Sequence, residues 1–475
     1  MTIWQPDLTS IGGPRYLAIV DALASDLDTG RLRAGDRLPT HRDLAYRLGI
    51  TVGTVTRAYA EAERRGLIKG EVGRGTYIRD RSGRSLPIHA VEGAFGEAVI
   101  DLSMNYPSRP DGDAVLARGL QEMAADGSLG YLLDYHPYRG RADHRAAGAA
   151  WVKRHGLTVS PEQIIITNGG QHGMAVLLGT LAGPGDVVLT ESVTYPGVKA
   201  LADLLRFELV GLAMDSQGIL PDAFEKACRN GRPRALFCMP SLQNPSGAHM
   251  PEERRREIAA IARRHGVPIV EDDIYGFLVK NGPAPLVAHA PELGFYLASL
   301  SKAIAPGLRM GYAAIPSEYV QRVSTSVRAT TIMASPPMAE LAARWIADGT
   351  GERLSAQYRT ESIARQAIAR QALQGLSYDA YPAAFHGWLT LPEHWTAAHF
   401  AAEVRQRGVV ITPAEVFAVG KPVPRSVRIC VSAARPRHHR RAGARHAGLS
   451  AGDRVVSPRS FRTLLTGLSN ASARG

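Results

Sequence analysis

A chain of 475 residues, 45% hydrophobic and 21% charged, is too long for one compact core and too apolar for a disordered or collagenous chain. No run of about 18 apolar residues occurs, so no membrane span is expected. The formal charge of +12 invites a nucleic-acid reading, but residues 1–80 carry 12 Lys/Arg against 10 Asp/Glu while 435–475 carry nine Arg against one Asp. Most of the surplus therefore sits in the tail and says little about DNA. Met1–Ser10 lacks a basic-plus-apolar leader pattern, and Cys228, Cys238 and Cys430 lack metal-ligand spacing. A cytoplasmic protein with free, buried thiols is expected.

In chain order, residues 11–80 read as a small helical unit ending in a hairpin. Tyr16, Ile19, Leu23 and Leu27 share one helical face, with Gly30 placed to stop that helix. Thr40 caps a short helix through Leu44 and Leu48, which Gly49 ends. Thr51 or Gly53 opens a second helix carrying Val55, Tyr59 and Ala62, and Gly66 ends it. Leu67–Ile68 and Thr76–Ile78 then bracket a Gly73-Arg74-Gly75 turn, the pattern of a β-hairpin wing. Two short helices and a tight turn make a helix-turn-helix whose second helix presents Thr54, Thr56 and Arg57 to base edges and phosphates. Arg42 and Arg74 are placed to contact phosphate. The run G-x-L-x-x-G-x-x-L-P-x-x-R-x-L-A, then TVTRAY, G-L-I and G-x-G-T, resembles the GntR family of winged-helix regulators over about 65 residues.

Residues 81–100 read as a linker. From 101 to 434, helical patterns alternate with short apolar runs: Gln163–Thr167, Val187–Thr190, Ala235–Met239, Pro268–Glu271 and Phe295–Ser299. Such alternation predicts an α/β domain, a mostly parallel sheet with helices on both faces and ligands at the carboxyl ends of its strands.

Several of those strand ends carry chemistry. SLSKAIAPGLRMGY, Ser299–Tyr312, offers Lys302 as an amine for the aldehyde of pyridoxal 5′-phosphate, with Ser301 and Arg309 for the phosphate. Asp272, at the end of the run Pro268–Glu271, suits a protonated pyridine nitrogen, which makes the ring an electron sink. Tyr275 and the Asn244 amide of SLQNPSG suit the ring's phenolic oxygen. TNGGQHGM opens a helix whose amides at Gly170 and Gln171 suit a phosphate. Tyr195, in TYPG, suits stacking on the ring.

Taken together, residues 101–434 resemble the aminotransferases of the pyridoxal-phosphate fold-type I superfamily, near the aminoadipate and kynurenine aminotransferases. The resemblance implies that Lys302 carries the cofactor and gives the other residues the roles above. It further implies that Tyr135, in DYHPYRG, reaches the phosphate of a neighbouring subunit and that Arg428, in SVRIC, grips a substrate carboxylate. A GntR-type winged helix followed by such a domain is similar to the layout of the MocR regulators. This implies a homodimer reading two half-sites of double-stranded DNA, with an amino acid, an amine or pyridoxal phosphate itself as effector. The rival reading is a working aminotransferase whose DNA-binding unit is vestigial or autoregulatory.

Two segments depart from the family pattern. His144 stands where an apolar residue is usual. Residues 435–475 are rich in Arg, Gly, Ser and Ala without helical periodicity, as a disordered tail left by a reading-frame change or as a basic arm adding non-specific DNA affinity.

Overall fold

Capping chemistry sets the helix ends of the N-terminal unit. The computed structural model describes residues 4–6, 14–28, 31–32, 35–64, 67–71, 75–78, 100–107, 112–127 and 129–432, and the chain divides into two units after Ile88. Helix α1 (Arg15–Asp28) precedes α2 (His41–Leu48). The Thr40 hydroxyl accepts the Asp43 N–H at 3.2 Å, and Gly49 ends α2 at φ 62°. Helix α3 (Val52–Arg64) starts beside Thr51, whose hydroxyl accepts the Thr54 N–H at 3.2 Å. Strands β1 (Ile68–Glu71) and β2 (Gly75–Ile78) pair antiparallel with Ile68 opposite Ile78. Ile19, Leu23, Leu44, Val55, Tyr59, Ile68 and Ile78 form one core beneath them. The expected helix stops at Gly30 and Gly66, the wing residues Gly73 and Arg74, nearly all of the linker and the tail lie outside the described residues.

The larger unit is built on seven strands: β3 (Ile164–Thr167), β4 (Val187–Glu191), β5 (Glu208–Leu212), β6 (Ala235–Cys238), β7 (Ile269–Asp272), β8 (Gly294–Ser299) and β9 (Gly311–Ala314). Their order is β3-β9-β8-β7-β6-β4-β5. All neighbours run parallel except β9, which is antiparallel to both β8 and β3. The apolar runs of the sequence supply five of these strands. Strand β5 gives no such run because it is a half-exposed edge, and β9 none because GYAA has little intrinsic strand preference; burial on both faces imposes it. A smaller antiparallel sheet of Tyr378–Asp379, His386–Thr390, Thr412–Pro413 and Ser426–Cys430 packs on its own apolar cluster, with Leu389, Phe400, Phe417 and Val427 inside. The segment 100–107 runs beside that lobe, where Cys430 donates its N–H to Leu102 at 2.8 Å.

All three thiols are free and buried. His144 is only 2% exposed, and its Nε2 lies 2.9 Å from Glu340. The polar departure from the family pattern thus comes with a partner. Among the described residues no helix is long and apolar enough to cross a membrane.

Candidate functional site: a lysine cleft and a helix-turn-helix surface

Loops at the carboxyl ends of β3, β4, β6, β7 and β8 converge on Lys302. Thr167 ends β3, and Gly169 (φ 81°, ψ 174°) turns the chain into the helix Gly170–Leu181. This backbone conformation is almost confined to glycine. A Cβ there would meet Arg309 Nη2 at 2.7 Å. Arg309 follows β8, itself at φ 50°, and donates from Nη2 to the Asn168 carbonyl at 3.3 Å. Ser299 ends β8 and begins the single turn Leu300–Ala303 that carries Lys302; the Ser299 and Ser301 hydroxyls lie 3.1 Å apart. Gln171 donates its side-chain amide to Gly197 O at 3.1 Å, at the start of the helix that Tyr195 precedes.

Asp272, Tyr275, Asn244 and Arg428 close the inner end. Asp272 is 3% exposed, and its Oδ1 is buried without a hydrogen-bond partner. Arg428 Nη1 donates to Asn244 Oδ1 and Nη2 to Ser103 O, both at 2.8 Å, while its Nε is buried without a partner. The Asn105 amide donates to the Tyr275 hydroxyl at 2.8 Å and lies 3.1 Å from His386 Nδ1. His386 Nε2 faces the Gln243 carbonyl at 3.1 Å. A carbonyl can only accept, so Nε2 carries the ring proton and Nδ1 accepts from Asn105. Lys302 Nζ donates to the Asn105 carbonyl.

Burial dominates the electrostatics. It lowers Lys302 to about 8, assisted by Arg428, and raises Asp272 to about 8, assisted by Asp273. Burial also raises the Tyr195 and Tyr275 phenols and lowers His386 to about 3. The charges of Asp272, Arg428 and Arg309 also act on the Tyr195 phenol, so it borders the same group of residues. Tyr135 is different: at 86% exposed, it stands outside the cleft of its own chain.

Asn105 and His386 carry no local sequence signal. Neither belongs to a strand-end motif of the parallel sheet; Asn105 is 170 positions from Tyr275 and 281 from His386. His386 opens a strand of the smaller sheet, and a lone buried histidine gives no local signal.

In the N-terminal unit, Thr56 is exposed on α3 with its hydroxyl 3.0 Å from His41 Nδ1. The Thr54 hydroxyl lies 2.9 Å from that of Thr51. Arg57 is exposed, and its guanidinium lies 4.3 Å from the centre of the Tyr16 ring, a cation–π contact that directs it. Arg42 is exposed on α2 and borders, with Arg37 and His41, a hollow beside Gly75 and Thr76. Arg74 lies outside the described residues. Arg37 and His41 are additions to the residues singled out from sequence.

These features define a winged helix-turn-helix unit and a fold-type I aminotransferase-like unit on one chain. The sequence profile of the bacterial regulatory proteins of the gntR family matches residues 15–78, and that of aminotransferase class I and II matches 97–446. The uncharacterized HTH-type transcriptional regulator YdeF of Bacillus subtilis (strain 168) is 31% identical over 435 residues, 90% of this chain and 93% of that one. The HTH-type pyridoxine biosynthesis transcriptional regulator PdxR of Corynebacterium glutamicum is 29% identical over 300 residues, 62% of this chain and 65% of that one. An archaeal alanine:glyoxylate aminotransferase superposes with a TM-score of 0.67 at 23% identity, over 79% of this chain and 91% of that one, a likeness of fold. The chain belongs to the GntR family of bacterial transcription regulators, in the MocR-type branch that carries a class I and II aminotransferase domain.

Proposed function

We propose that the larger unit binds pyridoxal 5′-phosphate on Lys302 and that an amino acid, an amine or the cofactor itself thereby governs how the winged helices hold double-stranded DNA. The observation that carries this reading is the buried, unpartnered Oδ1 of Asp272 in the cleft that holds the Lys302 amine. A ring N–H is the kind of donor that atom lacks, and leaving it unmet costs about 1–3 kcal/mol. The cradle fits as well, since a Cβ at Gly170 would press on Ser299 Cβ at 3.3 Å.

When bound, the cofactor supplies an aldehyde carbon open to amines and a ring that withdraws electrons. The chain's residues supply the rest. Lys302, lowered to about 8, has an appreciable unprotonated fraction near neutral pH, the form that attacks a carbonyl. Asp272 would hold a proton on the ring nitrogen. Tyr275 accepts from Asn105, so its own proton is left to donate toward the phenolic oxygen. Asn244 has its oxygen turned to Arg428, which leaves its NH₂ as the donor to the same oxygen. Tyr195 would stack on the ring. Gly170, Gln171, Ser301 and Arg309 would hold the phosphate at a helix N-terminus. The unpartnered Arg428 Nε would take an effector carboxylate.

On the DNA side, Thr54, Thr56 and Arg57 would meet the major groove, with Arg42 and Arg74 on phosphates. The exposure of Tyr135 supports a homodimer in which it completes the partner's phosphate site. An effector acts by preferring one arrangement of that dimer over another. Cytoplasmic placement accords with a DNA-binding role.

Borohydride reduction of the protein loaded with pyridoxal phosphate tests the cofactor claim. A phosphopyridoxyl adduct is expected on the peptide containing Lys302, and none in Lys302→Ala. An unmodified lysine in folded, loaded protein would overturn it. Footprinting with and without candidate amines tests the regulatory claim.

A further inference from the structure

Strand alternation sends the two consecutive acids at the end of β7 to opposite faces of the sheet. Asp272 faces the lysine cleft. Asp273 faces a separate cavity of about 390 Å³ on the other side, whose walls include Trp151, His155, His249 and Gly276. That volume lies within the range, about 300–1,000 Å³, of small-molecule sites.

The inner end of this cavity is acidic. Asp273 is 3% exposed. It accepts the Tyr296 hydroxyl on Oδ2, while Oδ1 is buried without a partner. His155 Nδ1 lies 3.1 Å from the Tyr296 oxygen and 3.5 Å from Asp273 Oδ2. The Tyr296 proton is already committed to Asp273, so His155 Nδ1 donates to the Tyr296 oxygen. Burial pushes the Asp273 carboxyl up, but the His155 and Tyr296 contacts outweigh it and the group stays ionised. The outer end is cationic. Lys153 and Lys280 are exposed on the lining, and Arg359 stands there too, anchored on the Phe277 carbonyl at 2.6 Å. Arg154 is partly neutralised by Glu352 at 3.9 Å.

We propose that this cavity is a second small-molecule site, for a zwitterion whose protonated amine or guanidinium meets Asp273 and whose carboxylate meets Lys153 and Lys280. An anion alone would be repelled at the inner end, and a cation alone would leave the rim unbalanced. Ligand bound there would sit one residue along the strand from Asp272. It would offset the Asp273 charge that Asp272 feels. The proposal rests on no part of the cofactor reading.

The test is calorimetric titration of the full-length protein with 4-guanidinobutanoate. A guanidinium does not condense with an aldehyde under these conditions, so the signal is independent of Lys302. Saturable binding is expected, unchanged in Lys302→Ala and weakened about tenfold or more in Asp273→Asn. The exposed double reversal Lys153→Glu/Lys280→Glu, which leaves the core alone, is expected to weaken 4-guanidinobutanoate several-fold but not butylguanidine. Three outcomes would overturn the proposal: no saturable heat at millimolar ligand, loss of binding in Lys302→Ala, or equal affinity in the double reversal and the wild type.

Discussion

Replacing Asp272 with Asn should make the cofactor-stripped protein more stable, increasingly so as pH rises. Burial, with the neighbouring Asp273, holds this carboxyl at about 8, where an unperturbed aspartate sits at 3.8. The unfolded chain releases the proton at the lower value and the folded chain keeps it to the higher one. Between them the folded state binds more protons, so stability falls as pH rises. At about 1.4 kcal/mol per pH unit, the cost is roughly 1–2 kcal/mol at pH 5 and on the order of 5 kcal/mol at pH 8. Asparagine cannot ionise and escapes that cost. For the roughly 330 described residues of the larger unit, roughly 2 cal/mol/K per residue gives about 0.7 kcal/mol per degree. The expected rise in Tm is therefore about 2 °C at pH 5 and about 7 °C at pH 8. Thermal unfolding of stripped wild type and Asp272→Asn, followed by circular dichroism at both pH values, measures it. Equal Tm at pH 8, or a gap that fails to widen from pH 5, would refute the reasoning. Added pyridoxal phosphate should reverse the order, because ligand that binds the wild type more tightly stabilises it more.

Three further substitutions probe the scaffold. Thr40→Ala removes the hydroxyl that accepts the Asp43 N–H, so the N-terminal unit should lose about 1 kcal/mol; faster amide exchange in α2 reports it. Gly148→Ala places a methyl 2.5 Å from Tyr312 Cδ1 and 3.0 Å from Ile164 Cγ2 inside the core. Denaturant titration should find a loss of about 1–3 kcal/mol. Arg255→Met strips the buried Glu271 of the guanidinium 3.5 Å away, and about 3–5 kcal/mol should go with it. Adding Glu271→Gln to that variant should recover only the part due to the unpaired acid, because Arg255 also donates to the carbonyls of Met250, Pro240 and Ala284; an additive double mutant would contradict the pairing.

What could be read from the sequence was what is local. The segment Ser299–Tyr312 places the lysine, the serines and the arginine within one loop, so spacing alone exposes them. Thr40 and Gly49 bound α2 because a cap acts within a turn of itself. The five predicted strands announce themselves by continuous apolar runs. Contacts made through space left no such trace. Asn105 meets Tyr275 and His386 only because the segment 100–107 lies along the smaller sheet. Glu340, which makes a buried histidine at 144 tolerable, stands 196 positions further along the chain. The β9 strand is imposed by neighbours on both sides rather than by its own residues, so GYAA reads as nothing in particular until the sheet surrounds it.

The reversed direction of β9 has a mechanical consequence. Ser299 pairs with Gly311, and the Leu300 N–H with the Met310 carbonyl, so the segment between them is a loop pinned at both feet. Lys302 and Arg309 stand on that one loop. A pull on the lysine is resisted at the arginine and carried into two strands at once, rather than dissipated along a slack chain. Whatever grips either side chain therefore tugs on two interior strands of the sheet at once.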